Sequence, residues 1–287
     1  MGVPRFFKGL QLKYKGKFIA VKNDVNNVNS LCFDLNCAIH PQCFKILAEN
    51  PNFKNSDYLE KLMIDECVKY LQFIIEYINP QNEIYIAIDG VAPVAKIKQQ
   101  RQRRFKSVKD RVLYNNIKKK HKKEILKHWN NSAISPGTPF MEKLTKVIIE
   151  FCKTYETKVK IYFSSAYTPG EGEHKILQHI RNSDKDYKYV IYGLDADLIF
   201  LALSSNKDNI YLLRESQEIK SKNNDIFSYV NIDILKDCIF NEINDNLNSE
   251  FIERKLDKNR IINDFIFICY FLGNDFLPHI PSIDISC

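Results

Sequence analysis

The sequence is short of several things, and each shortage removes a class of protein. No stretch carries eighteen consecutive apolar residues, so a membrane span is not expected. The N-terminus, MGVPRFFKGL, lacks the apolar core of a signal peptide. Gly2 follows Met1, but position 6 is Phe6 rather than Ser or Thr, so the myristoylation pattern fails. The eight cysteines form no CxxC pair, and most sit in apolar runs, where a thiol packs as a small hydrophobe. Cys32, Cys37, His40 and Cys43 are close in sequence, but their spacing is not that of a zinc site. Such cysteine usage fits a reducing compartment, cytoplasmic or nuclear. There is no internal repeat, and the Lys- and Asn-rich stretch KSKNNDI (220–226) reads as loop.

What is there is a chain of 287 residues, 45% hydrophobic, long enough for one large domain or two small ones with a real core. Its net charge of +7 is unevenly spread. Between Lys96 and Lys127 there are 14 Lys/Arg against Asp110 and Glu124, a local balance of +12 that leaves the rest of the chain at −5. A basic arm on an acidic body suggests a polyanionic partner beside chemistry that needs carboxylates.

Residues 57–78 carry Leu59, Met63, Cys67, Leu71, Ile74 and Ile78 at helical spacing. EIYIAIDG (83–90) reads as a buried strand. The Lys/Arg-rich stretch from about Val94 to Trp129 reads as one long helix, broken by SPGTPF (135–140). Residues 140–155 are again helical, VKIYF (159–163) is a strand, and 189–203 gives a strand, a turn and a helix start. NIYLLR (209–214) is another strand, and 258–272 an apolar helix. Strands alternating with helices predict an α/β fold around a mostly parallel sheet.

Three strands end in aspartate: the short apolar run LCFDLN (31–36) at Asp34, and the strands at Asp89 and Asp195, with Asp197 two residues on. In open α/β sheets the carboxyl ends of the strands form the ligand edge. The segment TPGEGEHKI (168–176) follows the VKIYF strand, so Glu171 and Glu173 open at that edge, and Asp275 follows the last apolar helix after a glycine. Singly, each carboxylate reads as a turn or helix-cap residue. Together they repel: two such charges about 4 Å apart cost roughly 4 kcal/mol at an effective dielectric near 20. The set points to hard divalent cations, which take oxygen ligands and can clamp a phosphoryl group. Next to Asp89, Lys96, Gln100, Arg103 and Arg104 fall on one face of a helix, an arrangement suited to a terminal phosphate. KKKHKK (118–123) reads as a solvated, non-specific phosphate-binding or nuclear-import run.

These pieces, in this order, resemble the 5′→3′ exoribonuclease family (XRN). The resemblance runs through MGVPRFF, FDLNCAIH (33–40), IDGVAPVAKIKQQRQRRF (88–105), SPGTPFM (135–141), YTPGEGEHKI (167–176), YGLDADLIFLAL (192–203) and FLGNDFLPHIPS (271–282). It implies a PIN-like core of the flap-endonuclease kind, with the basic helix as a tower-like projection from one nuclease domain (1–287). It implies that Asp34, Asp89, Glu171, Glu173, Asp195, Asp197 and Asp275 hold Mg²⁺ or Mn²⁺, two ions in all. Lys96, Gln100, Arg103 and Arg104 match a pocket for the 5′-monophosphate of single-stranded RNA, and His40 a histidine that stacks near the first nucleotides. The implied activity is processive release of nucleoside monophosphates. Members of the family usually continue beyond GNDFLPHIPS into a second segment that braces the site and supplies an aromatic partner for the histidine. Three readings of that difference stay open: a minimal nuclease, a truncated gene product, or one half of a split enzyme whose other half is a protein partner. Trp129, on the basic stretch, is a poor substitute. A structure-specific flap-type nuclease and a weakly catalytic binder of RNA 5′ ends are the alternative readings.

Overall fold

The structure is a computed structural model that describes residues 6–125, 129–195, 197–215, 227–246 and 256–282. In chain order the elements are α1 (Phe6–Lys13), β1 (Ile19–Ala20), β2 (Ser30–Asp34), α2 (Leu35–Glu49), α3 (Ser56–Ile78), β3 (Glu83–Ala87), α4 (Val94–Lys120), α5 (Pro139–Thr154), β4 (Lys160–Ser164), α6 (Gly172–Arg181), β5 (Tyr189–Tyr192), α7 (Asp197–Leu203), β6 (Ile210–Glu215), β7 (Phe227–Asn231), α8 (Ile232–Asn246) and α9 (Lys258–Tyr270).

The strands form one seven-stranded sheet in the order β1-β7-β6-β5-β2-β3-β4. Pairing from β6 through to β4 is parallel, and β7 and β1 are added antiparallel at the other edge. Alternate residues of the central strands feed two cores. Leu31, Phe33, Ile84, Ile86, Val190 and Tyr192 point to one face, covered by α2, α3 and α5. Cys32, Tyr189, Ile191, Ile210 and Leu212 point to the other, covered by α1 and by α6 to α9. Burial on both faces is why these strands read as unbroken apolar runs instead of alternating ones. Cys32 and Cys43 are spent on opposite cores.

The structure adds elements that the sequence pattern hides: α2, which runs through Pro41, and the β7–α8 unit. It also shortens the basic helix. α4 ends at Lys120, not near Trp129. Trp129 is buried, its ring 5.4 Å from Phe140 at 68° and its indole N–H donating to Glu60 across 3.3 Å. It therefore belongs to the core under α3 and α5. α4 itself contains no buried residue along its 27-residue length, and by the helical rise it spans about 40 Å. Among the described residues no helix is long and apolar enough to cross a membrane.

Candidate active site

The strand register decides which carboxylates meet. β5, β2, β3 and β4 are consecutive parallel neighbours, so the chain leaves all four at the same edge. Asp34 is the last residue of β2, Asp89 lies two residues beyond β3, Asp195 three beyond β5, and Glu171 opens α6 after β4. Asp34 also caps α2, accepting from Asn36 N at 3.2 Å. The Asn36 side chain accepts from Asp89 N at 2.9 Å, so one residue ties two neighbouring strand ends. The Cys37 thiol donates to Asp34 Oδ2 at 3.3 Å and accepts from Leu194 N at 3.4 Å, tying in the loop before Asp195.

Gly172 explains the two glutamates around it. Its N–H donates to Asp89 Oδ1 at 2.7 Å. A β-carbon at position 172 would lie 2.6 Å from Asp34 Oδ1 and 3.5 Å from Asp89 Oδ1. Only a residue without a side chain lets the helix start approach both aspartates, and the approach brings Glu171 and Glu173 in on either side. The loop that delivers them is pressed against β3's exit: Gly90 N donates to Gly170 O at 2.8 Å, and Gly170 N to Val91 O at 3.0 Å.

Asp275 arrives from the far end of the chain in the loop after α9. Gly273 sits at φ +78, where a β-carbon would meet His279 N at 2.6 Å. Asn274 then closes the turn, its side-chain oxygen accepting from Phe276 N and Leu277 N, each at 2.8 Å. That turn points Asp275 at α4. Lys96 Nζ lies 2.7 Å from Glu171 Oε2 and 3.1 Å from Asp275 Oδ2. Arg103 is 3.2 Å from Asp275 Oδ1, and Gln99 Nε2 donates to the same oxygen at 2.7 Å.

The electrostatics are those of crowded, desolvated acids. Burial, then the charges of Asp89 and Asp195, push the Asp34 carboxyl up to about 8. Burial, then Asp34, Asp195, Asp197 and Glu171, push Glu173 well above the carboxylate range. Asp89 is raised by burial and Asp197 by burial and the charge of Asp275. Asp275 goes the other way: burial would raise it, but hydrogen bonds from Gln99 and Lys96 hold it low. Asp34, Glu171, Glu173 and Asp275 are buried, Asp89 and Asp197 half-buried, and Asp195 is exposed on the open side of the rim.

A cation fits this set. Glu171 Oε1 and Glu173 Oε2 are buried without a hydrogen-bond partner, an expensive state for carboxylate oxygens that an ion would relieve. Ligand atoms of Glu171, Glu173 and His174 lie within 4.8 Å of one another. An all-carboxylate rim suits a hard divalent ion.

All seven carboxylates picked from the sequence thus lie at one rim. Lys96 and Arg103 meet it from α4. Gln100 is half-exposed, and the amide that contacts Asp275 belongs to its neighbour Gln99. Arg104 turns to Ser135 Oγ at 3.0 Å, in the segment following the basic stretch. His40 is exposed on α2, its ring stacked near that of Phe44 at 6.3 Å. The sequence reading missed Asn36, Cys37, Gln99, His174 and Lys175. His174 packs edge-on to Phe276 at 5.6 Å. Its adjacency to Glu173 was the one available signal.

A family model described as "XRN 5'-3' exonuclease N-terminus" matches residues 1–216, and a second, "Xrn1 helical domain", matches residues 255–287. Among curated proteins, "5'-3' exoribonuclease 1" of Homo sapiens is 35% identical over 100% of this chain and 18% of its own length. "5'-3' exoribonuclease 2" of Debaryomyces hansenii is 32% identical over 99% of this chain and 34% of its own. The chain therefore spans about a third or less of these relatives. Among solved structures, the catalytic core of Rad2 in complex with DNA substrate gives a TM-score of 0.49 at 12% identity, covering 99% of this chain and 66% of that one.

Proposed function

We propose, because the chain belongs to the XRN 5'-3' exonuclease family, that it degrades 5′-monophosphorylated single-stranded RNA in the 5′→3′ direction to nucleoside monophosphates. The observation that carries this reading is the join between two surfaces: a buried carboxylate rim with unpartnered oxygens, and a cationic helix face that reaches it through Lys96, Gln99 and Arg103. Asp34, Asp89, Glu171, Glu173, Asp195, Asp197 and Asp275 would hold Mg²⁺ or Mn²⁺, two ions in all. When bound, these ions supply the charge that draws in a phosphodiester and offsets the negative charge developing on it.

The chain's own residues do the rest. Lys96 and Arg103 offer charged donors to phosphate oxygens, Arg103 in the planar geometry that suits them. Gln99 and Gln100 add neutral donors. A terminal phosphate held there, beside the rim, leaves the adjoining ester over the carboxylates, which sets the direction of attack. Exposed His40, with Phe44 beside it, offers a stacking surface for a base near the end of the strand. No side-chain nucleophile is needed.

The test is one gel. The purified chain is incubated with 3′-labelled RNA carrying a 5′-monophosphate or a 5′-hydroxyl, with Mg²⁺ or with EDTA. Loss of the phosphorylated RNA alone, and only with Mg²⁺, is expected. Equal loss of both RNAs would remove the end-recognition assignment, and binding without loss under any condition would leave an RNA 5′-end binder.

A further inference from the structure

Lys175 belongs to α6, two residues past Glu173, and its side chain is 6% exposed. Lysine is seldom buried so deeply without a carboxylate partner. Here the ammonium donates to two backbone carbonyls instead: Ile88 O at 2.7 Å and Ser165 O at 2.9 Å. Ile88 immediately precedes Asp89. Ser165 is the first residue after β4 and begins the loop that ends at Glu171. We infer that Lys175 is a positioning residue of the carboxylate rim, pinning the strand exit that carries Asp89 to the loop that delivers Glu171 and Glu173. The inference rests on the cation-binding reading proposed above.

The same segments are also joined by the backbone bonds Ile88 N to Ser164 O at 2.9 Å, Gly90 N to Gly170 O and Gly170 N to Val91 O, and by Gly172 N donating to the Asp89 carboxylate. They approach so closely that a β-carbon on Gly90 would lie 1.9 Å from Thr168 O. Lys175 adds a side-chain tie to these backbone ones, from beside a pocket lined by Tyr85, Ser164, Thr168 and Pro169. An apolar side chain would fill its space without desolvating a charge, so packing alone does not call for lysine. The carbonyls of Ile88 and Ser165 would lose a donor if it were replaced.

A positioning role and a purely electrostatic one predict opposite results. As a charge near Asp89, Lys175 repels a divalent cation, and neutralising it would tighten cation binding. As a tie, it holds the ligands in register, and removing it would weaken binding even though the site becomes more negative.

The experiment measures Mn²⁺ binding to the full chain by titration calorimetry, without RNA, for wild type, Lys175→Met and Lys175→Arg. Folding is checked by thermal melting in EDTA. The expected result is a folded Lys175→Met variant with Mn²⁺ affinity reduced about tenfold or more, the usual size of a loss behind metal ligands. Lys175→Arg, which keeps the donors, should recover part of it. Unchanged or tighter binding by Lys175→Met overturns the inference. If that variant does not fold, Lys175→Gln is measured against the same criterion. If neither folds, Lys175 serves the fold and the inference falls. Failure of wild type to bind Mn²⁺ at all is a separate outcome, which overturns the cation reading and this inference with it.

Discussion

At position 172 the missing side chain does the work, and at 173 the buried one creates the tension. Glu173 is 5% exposed, has one oxygen without a partner, and feels four neighbouring carboxylates. Without cations it is held in place at a cost. Glu173→Gln removes the charge and keeps the shape, so in EDTA the variant should be more stable by about 1 kcal/mol or more, or ~2–4 °C in melting temperature. RNA cleavage should be lost and RNA binding kept. A lower melting temperature in EDTA would mean that Glu173 is not strained by its neighbours. Arg103 makes the complementary case. It reaches the rim from α4 and is 3.2 Å from Asp275. Arg103→Ala should reduce the preference for 5′-phosphorylated over 5′-hydroxyl RNA by about 10- to 100-fold, the range of one charged hydrogen bond. Competition binding in Ca²⁺ measures it, and an unchanged preference would take Arg103 out of end recognition.

Elements carry these residues to their places, and two contacts show how closely. At Gly90 the obstruction is backbone, Thr168 O at 1.9 Å and Ala166 O at 3.1 Å from an added β-carbon. Gly90→Ala must push the loop after β4 outward. It should cost about 1–3 kcal/mol of stability and lower cleavage further than any surface substitution. A variant with wild-type melting and rate would show the loop to be soft. At the opposite end of β3, Glu83 joins three elements: it accepts from Ser30 at 3.0 Å and Lys185 at 3.2 Å and meets His179 at 3.0 Å. Burial would raise its pKa, but the hydrogen bonds from His179, Lys185 and Ser30 outweigh it and lower the carboxyl from 4.5 to about 2. An acid lowered on folding stabilises above its unfolded value and loses that contribution as pH falls through the folded one. The window is therefore between about pH 4.5 and about pH 2. Lys185 is half-exposed and partly screened, so the contribution is about 2–3 kcal/mol. Glu83→Gln should lose it at neutral pH and flatten the acid limb of a stability–pH curve; an unaltered acid limb would rule out this accounting.

Legibility in the sequence follows the same physical lines. β2, β3 and β5 were plain because burial on both faces leaves uninterrupted apolar runs, and their terminal aspartates were plain because the polarity changes abruptly there. α2 was hidden by Asn36, His40 and Pro41, which break the apolar period although the helix runs through them. The β7–α8 unit was hidden among Asn and Asp residues. Trp129 was misplaced because a buried aromatic next to a lysine run has no local period; its partners Phe140 and Glu60 come from other elements. Gln99 and Gln100 differ by one step of helix phase, which a face count does not resolve. Lys175 looked like any polar helix position, since only tertiary structure supplies its two carbonyls.

Over the whole molecule, stability is unevenly distributed. The two cores flank the sheet, while α4 stands off with no buried residue. Helices without a packed face are marginal in water. Brief trypsin digestion should cut first in α4 beyond Arg104, at the lysines and arginines from Lys106 to Lys120, and leave the sheet and its helices intact; protection of that segment would mean it is packed against something. The site has the reverse character, because its parts are scattered along the chain. Asp34 emerges early in synthesis, but β3, β4 and β5 must all follow before the strand ends line up, and Asp275 comes after every one of them. Contacts so distant in sequence close last. A protein proposed to consume RNA is itself made on RNA, and this order of assembly keeps its chemistry incomplete until the message has been read through Asp275.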